Sequence, residues 1–330
     1  MTPPLPPRSA PLLPDRSDQP DLSPAAEITI VIPTRNRQSL LRETLESVAR
    51  QTFTAWRAVV VDNDSSDETE AMMTRWDDPR VMYIRQSNQG PSGGRNTGIA
   101  QAQTPWIAFL DSDDLWDADY LAERMDYMRR NPGRGLYASR GQSFRVRPDG
   151  GIEELGLTPA PDPAQTMARR LLREGNFIPT SSVTVATEAI RALGGFDPEL
   201  GRSEDTDMWL RLALRHPGAH LPSAHVRYRV HENQTQAPED RLEKLRRRIY
   251  ICEKVLAEAA SCPAEYAPWA RRRLRLTWRE RAKILTERGW WREAAAARLE
   301  QWRLRPADPG PLLRCLYCRL RAMGRASPPR

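Results

Sequence analysis

The chain has 330 residues, 39% of them hydrophobic and 28% charged, enough for one large domain plus an appendage. No apolar run approaches 18 residues, which argues against a membrane-spanning helix, and the Pro-rich start has no apolar segment of the secretory kind. The net charge of +7 is uneven: residues 241–330 carry 23 Lys/Arg against 9 Asp/Glu, whereas the first 240 carry 27 against 34.

Residues 1–26 read as a disordered tail. Beyond them, short apolar runs alternate with amphipathic stretches. Residues 28–32 are β-branched and continuous, as in a buried strand. A helix is predicted over 39–50, a strand over 58–61, a helix over 66–76 with acidic residues at its start, and a strand over 81–84. A short helix follows at 92–101 behind a Gly-rich turn, then a strand at 106–110 and a helix at 118–130. This alternation implies a mostly parallel α/β sheet covered on both faces, with ligands beyond the carboxyl ends of its strands.

The middle is less regular. Residues 136–146 read as strand, 148–163 as a Pro- and Gly-rich loop, 164–174 as helix, 181–186 as strand and 187–193 as a short helix. An amphipathic helix is predicted at 206–215 and a late strand at 226–230. From about residue 239 the chain reads as helical, with breaks near Pro263, Gly289 and Pro306. The expected division is therefore 1–26 tail, 27–238 α/β domain, and 239–330 basic helical region.

Four strand ends carry polar sets: PTRNR at 33–37, DNDSSD at 62–67, NQGPSGGRN at 88–96 and DSDD at 111–114. Any one reads equally well as a loop or a helix cap. Four at one sheet edge are hard to explain as caps. Three carboxylates within four residues, Asp111, Asp113 and Asp114, repel one another unless a cation is shared. Hard divalent ions such as Mg2+ or Mn2+ suit such oxygen ligands and also bind diphosphates. Gly93 and Gly94 allow close backbone approach to a ligand, and Arg95 adds a cation.

Together with these sets, VVDNDSSD at 60–67, GGRNTG at 93–98, LDSDD at 110–114, GGFD at 194–197, Glu204-Asp205 before Trp209, and YRVH at 228–231 resemble the family 2 glycosyltransferases over roughly residues 28–231. The resemblance implies a GT-A type Rossmann-like fold with a C-terminal helical appendage, and an inverting transfer from a nucleotide-diphosphate sugar. It implies that Pro33, Thr34 and Asn36 lie against the nucleoside. Asp62 and Asn63 would meet the base; Asn63 stands where many members have aspartate, leaving the base open with uracil the leading expectation. Gly94, Arg95, Asp111 and Ser112 would line the donor site. Asp113 and Asp114 would form the metal and diphosphate motif. Asp205 would be the catalytic base, with Glu204 and Trp209 beside it or at the acceptor. His231 reads equally as a further metal ligand or as an exposed strand-end histidine. GNFIPT at 175–180 resembles the stretch that approaches the acceptor, and reads alternatively as a plain loop.

A dinucleotide site is excluded by the lack of G-x-G-x-x-G after a strand. A sugar-phosphate nucleotidyltransferase would need a Gly-rich loop after the first strand, and a phosphatase would carry its Asp-x-Asp after the first strand rather than the fourth. The remaining alternative is an inactive transferase-like scaffold, against which the intact acidic residues argue. The acceptor is expected to be a glycan, a lipid-linked molecule or a protein. The chain is expected to be cytoplasmic; its basic region reads either as a solvated set of Arg-rich helices or as a peripheral membrane contact, with no nucleic-acid partner expected. Cys315 and Cys318, a lone C-x-x-C, are expected to be packing thiols.

Overall fold

The computed structural model describes residues 26–160, 162, 164–231, 240–257 and 263–323. The expected tail, apart from Ala26, the boundary at 238–239 and Cys262 lie outside these residues.

The first half follows the predicted alternation: β1 (Ile28–Thr34), α1 (Gln38–Ala49), β2 (Trp56–Asn63), α2 (Thr69–Thr74), β3 (Val81–Gln86), α3 (Gly90–Gln101) and β4 (Trp106–Phe109). Then come β5 (Leu115–Trp116), α4 (Tyr120–Arg130), β6 (Leu136–Val146), β7 (Ile152–Leu157), α5 (Met167–Glu174), β8 (Thr184–Ala186), α6 (Thr187–Ala192), α7 (Glu204–Arg215) and β9 (Gly218–Arg229). Among the described residues four helices follow: α8 (Arg241–Ala257), α9 (Ala267–Glu287), α10 (Trp291–Arg303) and α11 (Gly310–Met323).

The strands form one sheet in the order β3-β2-β1-β4-β8-β6-β9-β5, with β7 paired to β6. The segment β3-β2-β1-β4 is parallel, whereas β8 runs antiparallel to both β4 and β6. The chain moves outward from β1 to β3 and then crosses back to place β4 on the other side of β1. That reversal opens a crevice beyond the ends of β1 and β4, the place where such sheets bind ligands. Strand alternation fills both faces. Ile28, Ile30 and Ile32 pack with Leu41 and Leu45 on one side, while Val31 packs with Ile99 and Phe109 on the other.

Two elements depart from the sequence reading. The predicted loop at 148–163 contains β7, whose residues are all exposed, so neither face carries a burial signal. The late strand is much longer than expected. β9 contains Pro222, which would break a ladder, but the β6–β9 register jumps there, from Ser139↔Leu221 to Gly141↔Val226, and the bulge takes up the proline.

The helical region is not separate from the sheet. Ile251, Val255 and Ala270 belong to the same buried cluster as Phe109 and Trp209. Farther along, Leu242, Leu285, Ala294, Cys315 and Cys318 form a second core. Both cysteines are free and buried there, as packing thiols. Among the described residues, no helix is long and apolar enough to cross a membrane.

Candidate active site

A cleft of about 1230 Å³ opens beyond the ends of β1, β2 and β4. Pro33, Thr34, Asn63, Arg95, Asp111, Ser112 and Asp113 line one side of it, and Asn176, Glu204 and Asp205 line another. The three described non-glycine residues with positive φ all lie around this edge: Asn36 after β1, Asp64 after β2, and Ser203 immediately before Glu204. Such backbone is costly and tends to mark functional turns.

The acidic motif splits into outward and inward members. Asp113 Oδ2 lies 3.0 Å from His231 Nε2 and 2.8 Å from Arg37 Nη1. Asp111 Oδ1 accepts from Arg95 Nη2 at 2.8 Å. Asp114 does not line the cleft. It is buried, with Oδ1 accepting from the Arg229 N–H at 2.9 Å and Oδ2 from the Ser181 hydroxyl at 2.5 Å. Burial, and then the charges of Asp113 and Asp111, push its carboxyl well above the usual range. Asp114, expected as a metal ligand, is thus placed behind the cleft wall, where it ties β9 and the Ser181 turn to the loop after β4. The same tether carries the chain into His231 and so to Asp113, since Arg229 Nε also donates to the Asp113 carbonyl at 2.9 Å.

Arg95 is buried at the centre of the floor. It donates to Asp111 and, through Nη1, to Glu204 Oε1 at 2.7 Å. The two carboxylates outweigh the desolvation of the guanidinium and raise its pKa. Glu204 thus has a partner and a structural task. Beside it Asp205 accepts from Asn176 Nδ2 at 2.7 Å and from the Thr206 N–H at 2.6 Å. Burial, and next the charge of Glu204, push the Asp205 carboxyl up to about 6. A carboxylate of that pKa is suited to accept a proton near neutral pH.

Several expected donor contacts turn away from the cleft. Asp62 is fully buried and its oxygens are occupied: Oδ1 accepts from the Ser65 N–H and hydroxyl, Oδ2 from the Tyr83 hydroxyl at 2.7 Å. It shapes the turn after β2 and does not face a base. Asn36 Oδ1 accepts from the Ser66 N–H at 2.7 Å, knitting the β1 and β2 turns together, so its side chain serves the rim. Gly94 does not line the cleft either. A Cβ there would stand 2.6 Å from Asn63 Nδ2 and 3.1 Å from Pro33 Cβ, so the glycine lets α3 close against the strand ends. Trp209 is completely buried among Phe109 and Phe196, with ring centroids 5.6 Å from each, and belongs to the core rather than to an acceptor contact.

Thr34 Oγ1 and Ser112 Oγ are buried without a hydrogen-bond partner in the wall of the cleft. Buried orphan hydroxyls are uncommon and suit a polar ligand. Asp113 and His231 present an oxygen and a nitrogen 3.0 Å apart, the donor types that a divalent ion accepts.

Sequence reasoning missed the contribution of the last helices. Lys244, Arg247, Arg248 and Arg273 line this cleft together with Ile251 and Cys252. The signal was present on α8: positions 244, 247, 248, 251 and 252 follow helical spacing along one face.

Residues 29–188 match the family model described as Glycosyl transferase family 2. An Escherichia coli protein named UDP-Glc:alpha-D-GlcNAc-diphosphoundecaprenol beta-1,3-glucosyltransferase WfgD is 34% identical over 34% of this chain and 45% of its own length. The chain thus spans less than half of that relative. Among solved structures, Staphylococcus aureus TarS 1-349 in complex with UDP-GlcNAc superposes with a TM-score of 0.65 at 18% identity, covering 89% of this chain and 88% of that one. The mannosyltransferase PcManGT from Pyrobaculum calidifontis, in complex with GDP-Man and Mn2+, has a TM-score of 0.55 at 18% identity, covering 94% and 81%. At that identity the likeness establishes the fold, which is of the GT-A type.

Proposed function

Because the chain belongs to glycosyl transferase family 2 through its residues 29–188, we propose that it transfers a sugar, with inversion, from a nucleotide-diphosphate donor to a hydroxyl of its acceptor. The observation that carries this reading is one cleft lined both by Asp113, whose Oδ2 lies 3.0 Å from His231 Nε2, and by Asp205, with its pKa raised to about 6. Asp205 takes the proton from the acceptor hydroxyl, whose oxygen attacks the anomeric carbon from the face opposite the diphosphate. Asn176 aims the carboxylate. Thr34, Asn63 and Ser112 receive the nucleoside and its phosphates, and Asp111, fixed by Arg95, positions the ribose or sugar. Asp113 and His231 would hold a divalent ion, Mn2+ or Mg2+, which when bound would supply charge neutralisation for the diphosphate.

The name of the E. coli relative supports a UDP-sugar and a lipid-linked acceptor, and so a role in cell-surface glycan synthesis at the cytoplasmic membrane face. Peripheral membrane contact through α11 fits that role. Leu313, Leu316, Tyr317, Leu320 and Met323 are exposed at helical spacing along it, and Arg314, Arg319 and Arg321 lie among them. An apolar stripe with basic neighbours suits an anionic lipid surface.

The test is a screen of UDP-, GDP- and dTDP-sugars that reads nucleotide release with and without Mn2+. Release from one donor class that requires the metal is expected. Absence of both release and nucleotide binding across the screen would overturn the reading.

A further inference from the structure

The basic helical region supplies part of the cleft, and the part it supplies is cationic. Of the six cleft-lining residues on α8 and α9, four are Lys244, Arg247, Arg248 and Arg273, and none is acidic. Their placement against the proton-accepting side of the cleft follows from contacts. Arg273 Nη1 donates to the Leu172 carbonyl at 3.0 Å, and its Nη2 lies 3.0 Å from where a Cβ on Gly175 would stand. Gly175 immediately precedes Asn176, which holds Asp205. The guanidinium of α9 therefore abuts the loop that carries the contact to the catalytic base. Burial, and next the nearby charge of Arg248, hold Arg273 below its ordinary pKa, so these cations crowd one another at the wall. Of the acidic lining residues, Glu174 is engaged with Arg170 at 2.9 Å and Glu204 with Arg95, while Arg248 Nη1 lies 3.5 Å from Glu280 Oε2, a carboxylate that does not line the cleft.

A wall of guanidinium forks and one ammonium, facing a cavity that also holds the base, matches a phosphate ester rather than a neutral sugar. The donor diphosphate has its own place, at Asp113 and His231. We propose that Lys244, Arg247, Arg248 and Arg273 form a binding site for a phosphate or diphosphate ester carried by the acceptor, seating the acceptor so that its hydroxyl reaches Asp205. The inference rests on the glycosyltransferase reading and names the acceptor class for it. The ester's source is either a phosphorylated lipid or a water-soluble phosphorylated molecule, which share this chemistry.

The experiment is a binding titration on the full chain saturated with UDP and Mg2+, so that the donor site is filled. The probes are inorganic pyrophosphate, farnesyl diphosphate and farnesol. Farnesyl diphosphate is expected to bind and farnesol is not. Lys244→Glu with Arg248→Glu is expected to weaken diphosphate binding by at least about tenfold with UDP affinity unchanged, any fall in Tm reflecting loss of the Arg248–Glu280 pair. Lys244→Glu alone, an exposed position, serves if the double variant folds poorly, with a smaller loss in the same direction. Arg319→Glu on α11 is the control and leaves affinity unaltered. Tighter binding of farnesyl diphosphate than of pyrophosphate supports the site with a lipid source; equal binding supports it with a soluble source. Failure of both diphosphates to bind the UDP-loaded protein, or equal affinity in parent and reversal variants, overturns the acceptor site alone. Failure of UDP, GDP and dTDP alike to bind the parent overturns the glycosyltransferase reading instead.

Discussion

Asn176, in the loop after α5, donates its side-chain amide to Asp205 Oδ2 at 2.7 Å, across 29 residues of sequence. That bond sets the direction of the one carboxylate in the cleft whose pKa is raised to about 6. Asp205→Asn preserves size and can still accept from the Thr206 N–H, so it removes the charge together with the hydrogen bond from Asn176. Turnover should fall by about 10²–10⁴-fold while nucleotide affinity stays unchanged. Near-normal turnover would remove Asp205 from the base role.

The pH dependence follows from the same group. Activity should rise with pH through about 6 as Asp205 ionises. Asn176→Ala removes a hydrogen bond to the charged form, so that acidic limb should move to higher pH. Stability runs the other way. The contribution of a raised carboxyl is complete below its ordinary 3.8 and is lost as pH rises through about 6. The Tm of Asp205→Asn relative to the parent should therefore increase between about pH 4 and pH 8. A Tm difference that is flat across this range contradicts the assignment.

The two neighbouring aspartates should separate cleanly. Asp113→Ala is expected to abolish the metal dependence of nucleotide binding with little change in Tm. Asp114→Ala leaves the Ser181 hydroxyl and the Arg229 N–H without their acceptor, and should lower stability by about 1–3 kcal/mol per unsatisfied group. Urea unfolding and Mn2+ titrations of UDP binding on both variants decide this. The reverse pattern would restore Asp114 as the ligand.

Removing Arg95 leaves the buried Glu204 and the half-buried Asp111 without their shared cation. Arg95→Ala should cost about 3–5 kcal/mol. Glu204→Gln, which keeps a hydrogen-bond acceptor for the guanidinium, should cost much less. Denaturant midpoints of the two variants provide the comparison.

For the membrane contact, Leu316→Glu with Leu320→Glu should sharply reduce sedimentation with anionic liposomes at low salt. Tm should not change, because both side chains are exposed. Equal sedimentation of parent and variant excludes α11 as the contact.

In the first half, β1 was legible as a β-branched run buried on both faces and α1 as a stripe at helical spacing. The chemistry beyond the strand ends was legible too, because a parallel sheet brings every strand's carboxyl end to one edge. Side-chain direction was not. Asp62, Asp114 and Trp209 sit inside recognisable motifs, yet the turn after β2, the Ser181–Arg229 tether and the Phe109–Phe196 cluster take them into the interior. Sequence spacing says which residues reach the edge, but partners far along the chain decide which way each carboxylate faces. The same holds for α8 and α9. Their charge was plain in the composition, but only the packing of Ile251, Val255 and Ala270 into the core of the sheet domain turns Lys244, Arg247, Arg248 and Arg273 toward the cleft.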